Sequence, residues 1–178
     1  MHIFILIFSV LSFIAVWYWR LKVLQEVARD GRKAVETVSN LPRRLKFKRR
    51  AGKRGMHLVT DPREAATALM LEIAQVRGPL TEVQNTAIRA EIMHHFEFKE
   101  TDAETLIQQV GWLVRGEGPS ERVINRMTDL IQASPDLGPK QIVDLDGMLV
   151  AVTEAEGSPT SDQMQLLELY RKKTGLKV

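Results

Sequence analysis

Apolar positions along the chain follow two patterns, first a continuous run and then a helical repeat. Residues 3–19 read IFILIFSVLSFIAVWYW without a charged side chain, which is typical of a segment that crosses a membrane. As a helix this run would be about 26 Å long, slightly less than a hydrocarbon core of about 30 Å. Trp17, Tyr18 and Trp19 end the run, and such rings suit the boundary between lipid and water. We therefore predict a transmembrane anchor over residues 1–19.

A cleaved signal peptide is the alternative interpretation of this run. A signal peptide has a basic start and small residues at its cleavage site. Here the chain enters the apolar run directly, and bulky aromatic residues and Arg20 follow it. An uncleaved anchor is therefore the favoured interpretation.

From residue 60 onward, apolar side chains recur every three or four positions between clear helix start and stop signals. Ser, Thr or Asp followed by Glu or Gln marks several starts, and Gly or Pro marks the ends. Five of the predicted helices begin close to Asp61, Thr81, Thr101, Ser120 and Thr160, and a sixth follows the break at Gly138 and Pro139. No convincing period-two alternation is present. We therefore predict an all-α fold, in which a compact bundle of about six helices follows the anchor.

Charge divides the same chain into three parts. Residues 20–55 carry 13 Lys or Arg against 3 acids, whereas residues 56–178 carry 12 Lys or Arg against 19 acids. We predict an anchor over 1–19, a basic stalk and linker over 20–59 and a helical domain over 60–178. Because positive charge marks the cytoplasmic side of a membrane protein, the N-terminus should face outward and the domain should be cytoplasmic. The expected location is the bacterial inner membrane, with a single pass.

The densest basic stretch is RRLKFKRRAGKR, residues 43–54. Such a stretch fixes membrane topology, and it also attracts anionic lipids of the bilayer at about 1 kcal/mol per cation near the surface. Nucleic acid is a less economical partner for a tethered protein and is not expected. The predicted lipid-facing residues are Arg43, Arg44, Lys46, Lys48, Arg49, Arg50, Lys53 and Arg54.

A seven-residue pattern occurs twice in the helical domain. Residues 78–84 and 157–163 both read G-x-x-T-x-x-Q, 79 positions apart, and each follows an apolar helix. The repeat predicts two similar helical hairpins whose apolar faces close on each other.

With this repeat, residues 60–178 resemble the TerB-like (tellurite-resistance TerB) helical domain, which occurs in membrane-anchored proteins. That family carries Asp-Gly before each turn and an acid after it, and these acids are thought to serve a divalent cation or a charged partner. This chain departs from the pattern at Arg77, Gln84 and Gln163, and only Glu156 keeps an acid. The resemblance therefore implies the fold more strongly than an ion site.

Function is expected to be non-catalytic, because we find no local catalytic motif and the chain has no cysteine. The resemblance implies an interaction or scaffolding module at the membrane, with other membrane or cytosolic proteins as partners, in envelope stress or the response to tellurite and other metal oxyanions. The alternative is a sensor that binds a cation or a small ligand through the acidic second hairpin. No resident cofactor is expected, and a divalent cation would use Glu154, Glu156 and Asp162. A solvated helix end is the simpler interpretation of these acids.

Overall fold

The computed structural model describes residues 55–176, so the predicted anchor, its aromatic residues 17–19 and the basic residues 43–54 lie outside the described residues. Within 55–176 the chain forms six α-helices, one short 3-10 helix over Met56–Leu58, and no strand, which confirms the predicted helical bundle. The α-helices are α1 Pro62–Gln75, α2 Glu82–Phe96, α3 Glu100–Val114, α4 Ser120–Gln132, α5 Pro139–Glu154 and α6 Ser161–Thr174.

The helix starts follow the capping signals in the sequence. Asp61 caps α1 by accepting a hydrogen bond from the Arg63 backbone N–H over 2.9 Å. Thr81 and Thr160 open α2 and α6 with complete capping boxes, in which the threonine and the residue three positions later each bind the other's backbone N–H. The α3 helix differs from its prediction, since it begins at Glu100 and its N-cap Lys99 makes no side-chain capping bond.

Helix α1 forms the centre of the bundle. Nine of its fourteen residues are buried, and it contacts each of the other five helices. A helix that is apolar on nearly all sides belongs inside a bundle, whereas the outer helices bury one stripe each. The two predicted hairpins, α1–α2 and α5–α6, do pack against each other through contacts of α1 with α5 and α6 and of α2 with α5.

Residues 55–59, which precede the first helix, also pack on the bundle. The Gly55 backbone N–H donates to the Leu113 carbonyl over 3.1 Å, and Met56 and Val59 are buried. Residues 55–176 form a compact unit with its own apolar core. A fragment spanning 52–178 is therefore expected to fold by itself.

Candidate functional site

The three acids of the predicted cation site lie around the turn between α5 and α6. Glu154 is the last residue of α5, Glu156 lies in the turn, and Asp162 lies in the first turn of α6. Among the described residues, no group of three or more metal-ligating side chains is placed to hold an ion. Binding of a cation by these three residues stays a prediction.

Glu156 connects the second hairpin to the first. Its carboxylate accepts a hydrogen bond from the Thr81 hydroxyl, and its Oε2 lies 3.7 Å from Nε of Arg77. Arg77 and Glu156 are 79 positions apart, so they occupy equivalent places in the two copies of the repeat. Two carboxylates at these places would repel each other unless a cation lay between them. Here the arginine supplies that positive charge.

The two repeated glutamines have a structural role that the sequence did not reveal. Gln84 is 2% exposed and Gln163 is fully buried. Nε2 of Gln84 donates to the Ala74 carbonyl over 3.1 Å, and Nε2 of Gln163 donates to the Ile73 carbonyl over 3.2 Å. These carbonyls belong to the last turn of α1, where a helix has no further N–H groups of its own to offer.

Each glutamine therefore performs two tasks with one amide group. Its Oε1 accepts from the backbone N–H of the capping threonine, 3.2 Å to Thr81 and 3.1 Å to Thr160, while its NH₂ group caps α1. A carboxylate can accept but cannot donate, so an ionised acid at either position could not bind these carbonyls. Glutamine at these two positions thus has a physical reason in this fold. The same residue in both copies was the available sequence signal.

A cavity of about 480 Å³ lies at the other end of α1. Since a fourteen-residue helix is about 20 Å long, the cavity is well separated from the glutamine caps. Its walls come from the start of α1, the ends of α2 and α4, the loop that follows α4, and α5 as far as Met148. The apolar lining residues are Ala66, Phe96, Ile131, Leu137, Leu145 and Met148.

The charged lining of this cavity is mostly acidic. The lining includes four carboxylates and one guanidinium, that of Arg63, together with the imidazole of His95. The carboxylates are those of Asp61, Glu97, Asp136 and Asp144. The charged side chains are exposed or half-buried, whereas the apolar ones are buried or half-buried. The cavity therefore has an apolar interior and an acidic opening.

Glu97 also has an unusual backbone conformation. Among residues 55–176 it is the one non-glycine residue with a positive φ, at 54°, and it ends α2 in the left-handed region. Glycine is the common residue at such a helix end, because a side chain costs free energy there. The chain thus carries a carboxylate at a position where the backbone alone would favour glycine.

Further polar groups that are buried or partly buried lie in the second hairpin and in α1. Arg171 and Asp146 form a two-pronged ion pair at 2.7 and 2.8 Å. Burial raises the pKa of Tyr170, with a smaller contribution from Asp146, and its hydroxyl donates to the Ile142 carbonyl over 2.9 Å. In α1, burial raises the pKa of Glu72, and a hydrogen bond with Ser120 partly offsets this effect.

Comparisons with protein-family models, with curated proteins and with solved structures found no match to this chain. The resemblance to TerB-like domains therefore stays a prediction from the sequence features described above. Within residues 55–176, no helix is long and apolar enough to span a bilayer.

Proposed function

We propose that this chain is a membrane-anchored, non-catalytic interaction module of TerB-like type. The observation that carries the proposal is the open cavity between α1, α2, α4 and α5, with an apolar interior and a charged opening. Its volume lies within the range of about 300–1,000 Å³ that binding pockets in proteins occupy. Apolar surface of this kind is expensive to leave in water, so it favours a bound partner.

The sequence supplies the setting for this module. An uncharged run over residues 3–19 and the basic stalk and linker over 20–59 support attachment to the bacterial inner membrane, with the helical domain in the cytoplasm. The resemblance to TerB-like domains supports a role in envelope stress or in the response to tellurite and other metal oxyanions. The domain would then bring a partner protein to the membrane surface.

The alternative function, a cation sensor at the turn of the second hairpin, has less support. Glu156 already has protein partners in Thr81 and Arg77. An ion that bound this carboxylate would have to displace the guanidinium of Arg77. Its binding free energy would then be only the difference between the carboxylate–ion and the carboxylate–guanidinium interactions.

Membrane attachment is tested with reporters fused after Val178 of the full chain. A reporter that is active only in the cytoplasm should give signal, and one that is active only in the periplasm should give none. The opposite pattern would reverse the proposed topology. Recovery of the full chain in the soluble fraction would disprove the anchor.

The interaction role is tested by placing a photo-reactive amino acid at Gln141, an exposed residue that lines the cavity. The matched control is Gln108, an exposed glutamine of α3 that is absent from the cavity lining. Irradiation of cells should give a discrete protein adduct from position 141 that is missing from position 108. No adduct, or the same adducts from both positions, would contradict a cavity-directed interaction.

A further inference from the structure

We propose that the cavity binds a basic segment of a partner protein that inserts one or two apolar side chains. This inference rests on the proposed function, because it names the class of partner for the same cavity. It follows from the apolar interior, from the charge at the opening and from the arrangement of that charge.

The apolar interior calls for an apolar anchor on the ligand. Ile131, Leu145 and Met148 are buried at the wall of the cavity, and half-buried Phe96 and Leu137 continue the same surface outward. A polar ligand would leave the exposed parts of Phe96 and Leu137 in water, whereas an aliphatic or aromatic side chain packed on them would cover these parts. A binding segment therefore needs at least one large apolar residue.

Charge at the opening selects a cationic ligand. The single guanidinium, on Arg63, is already engaged within the domain: its Nε lies 3.6 Å from Oδ1 of Asp61, and it stacks over the ring of Phe98 at 5.6 Å. Glu97, Asp136 and Asp144 then leave the opening negative. Nucleic acid and anionic lipid headgroups would be repelled by this opening, while Lys and Arg side chains would be attracted.

The arrangement of these carboxylates favours a peptide over a small ion. Glu97 ends α2, Asp136 lies in the loop that follows α4, and Asp144 lies on α5, so the three acids come from three separate elements. A metal ion needs several oxygens that converge at about 2.3–2.6 Å, and no such group occurs among the described residues. A peptide segment can place Lys or Arg side chains on either side of an apolar residue. These cations could then pair with the separate carboxylates while the apolar residue enters the cavity.

Binding is measured by fluorescence anisotropy with the fragment 52–178, after each variant has shown cooperative thermal unfolding. The probe is a short labelled peptide in which leucines and lysines follow helical spacing. One control peptide replaces every leucine by serine, and the other replaces every lysine by glutamate. We expect the leucine–lysine probe to bind at least about tenfold more tightly than either control, and about 0.5 M salt to weaken it.

Variants locate the binding to the cavity. Combining Glu97→Gln with Asp144→Asn should lower the affinity for the probe by about three- to tenfold, since each ion pair at the exposed opening of the cavity contributes modestly. Leu137→Ser should also weaken it. The matched control combines Glu154→Gln with Asp162→Asn, which removes two charges at the distant α5–α6 turn and should leave binding unchanged.

Several outcomes would overturn the inference. Equal weakening by both pairs of charge variants would show nonspecific attraction to an acidic domain. If position 141 gives its specific photo-adduct but the leucine–lysine probe does not bind, the proposed interaction role is supported and the basic partner is disproved. If the fragment binds the probe but the full chain does not, the occupant is a segment of this chain. Self-association that Leu137→Ser abolishes would identify the occupant as a second copy.

Discussion

Replacing Gln163 by glutamate tests whether the repeated glutamines hold the end of α1. Gln163 is fully buried, donates to the Ile73 carbonyl over 3.2 Å and accepts from the Thr160 backbone over 3.1 Å. Glutamate has nearly the same size and keeps the acceptor. Once ionised, however, it turns a carboxylate oxygen toward the carbonyl oxygen of Ile73 and leaves that carbonyl without a donor.

The loss of unfolding free energy caused by Gln163→Glu at pH 7 depends on whether the introduced carboxyl is protonated or ionised in the folded protein. A carboxyl that stays protonated can donate to Ile73, but holding the proton costs about 1.4 kcal/mol for each pH unit above its ordinary pKa of about 4.3, or about 3.7 kcal/mol. An ionised carboxyl leaves a buried carbonyl unsatisfied, at about 1–3 kcal/mol, and adds the cost of burying its charge. The folded protein takes the less costly of these two forms, so we expect a loss of about 1–4 kcal/mol.

The loss should depend on pH in a definite direction. Burial in the folded state favours the neutral form of the introduced carboxyl, so its folded-state pKa lies above its unfolded-state value. Stability is then retained below about pH 4.3 and is lost as the pH rises through the folded-state pKa. The variant should match the wild type most closely in acid and fall behind it toward neutral pH.

Urea denaturation of the fragment 52–178 at pH 7 and at about pH 4.5 measures this difference. Gln165→Glu, at an exposed position of the same helix, is the matched control and should cost less than about 0.5 kcal/mol at both pH values. A loss for Gln163→Glu that is equal at both pH values, or no larger than that of the control, would refute the capping role.

Three further predictions concern stability of the same fragment. Because burial raises the pKa of Glu72, Glu72→Gln should raise the free energy of unfolding at pH 7, and urea titrations should show this gain fading toward about pH 4.3. Arg77→Asp places a carboxylate beside Glu156 and should cost about 0.5–1 kcal/mol in chelator, part of which millimolar calcium or magnesium should restore in melting experiments. Leu149→Ala should cost about 2–5 kcal/mol by urea denaturation, while exposed Val143→Ala on the same helix should cost less than about 0.5 kcal/mol. The first prediction would be contradicted if Glu72→Gln left the stability at pH 7 unchanged, and the second if added ions did not change the melting of Arg77→Asp. The third would be contradicted if both α5 variants lost the same free energy of unfolding.

Helix positions could be predicted from sequence because their signals are local. Thr81 and Thr160 sit three residues before a glutamine, and each side chain finds its partner within one turn. Local signals do not place every side chain, however, since Trp112 is 39% exposed although its neighbour Leu113 is buried. Adjacent positions on a helix point about 100° apart, and the buried stripe of α3 runs through Leu113.

The cavity and the glutamine caps could not be predicted because they depend on distant parts of the chain. Gln163 meets a carbonyl that lies 90 residues earlier, and the cavity joins residues from Asp61 to Met148. No local spacing encodes either arrangement. From sequence alone, Arg77 and Gln84 stand out only because they are not acids, whereas in the fold Arg77 pairs with Glu156 and Gln84 binds the Ala74 carbonyl.

The opposite charges of Arg77 and Glu156 also bear on wrong pairing of hairpins between two copies of the chain. Because the two hairpins have similar sequences, a hairpin of one copy could pack against the same hairpin of another copy in place of its proper partner. Two first hairpins brought together would place arginine against arginine, and two second hairpins would place glutamate against glutamate. Only a first hairpin with a second one brings unlike charges together, so the divergence of the two turns disfavours assemblies of like with like.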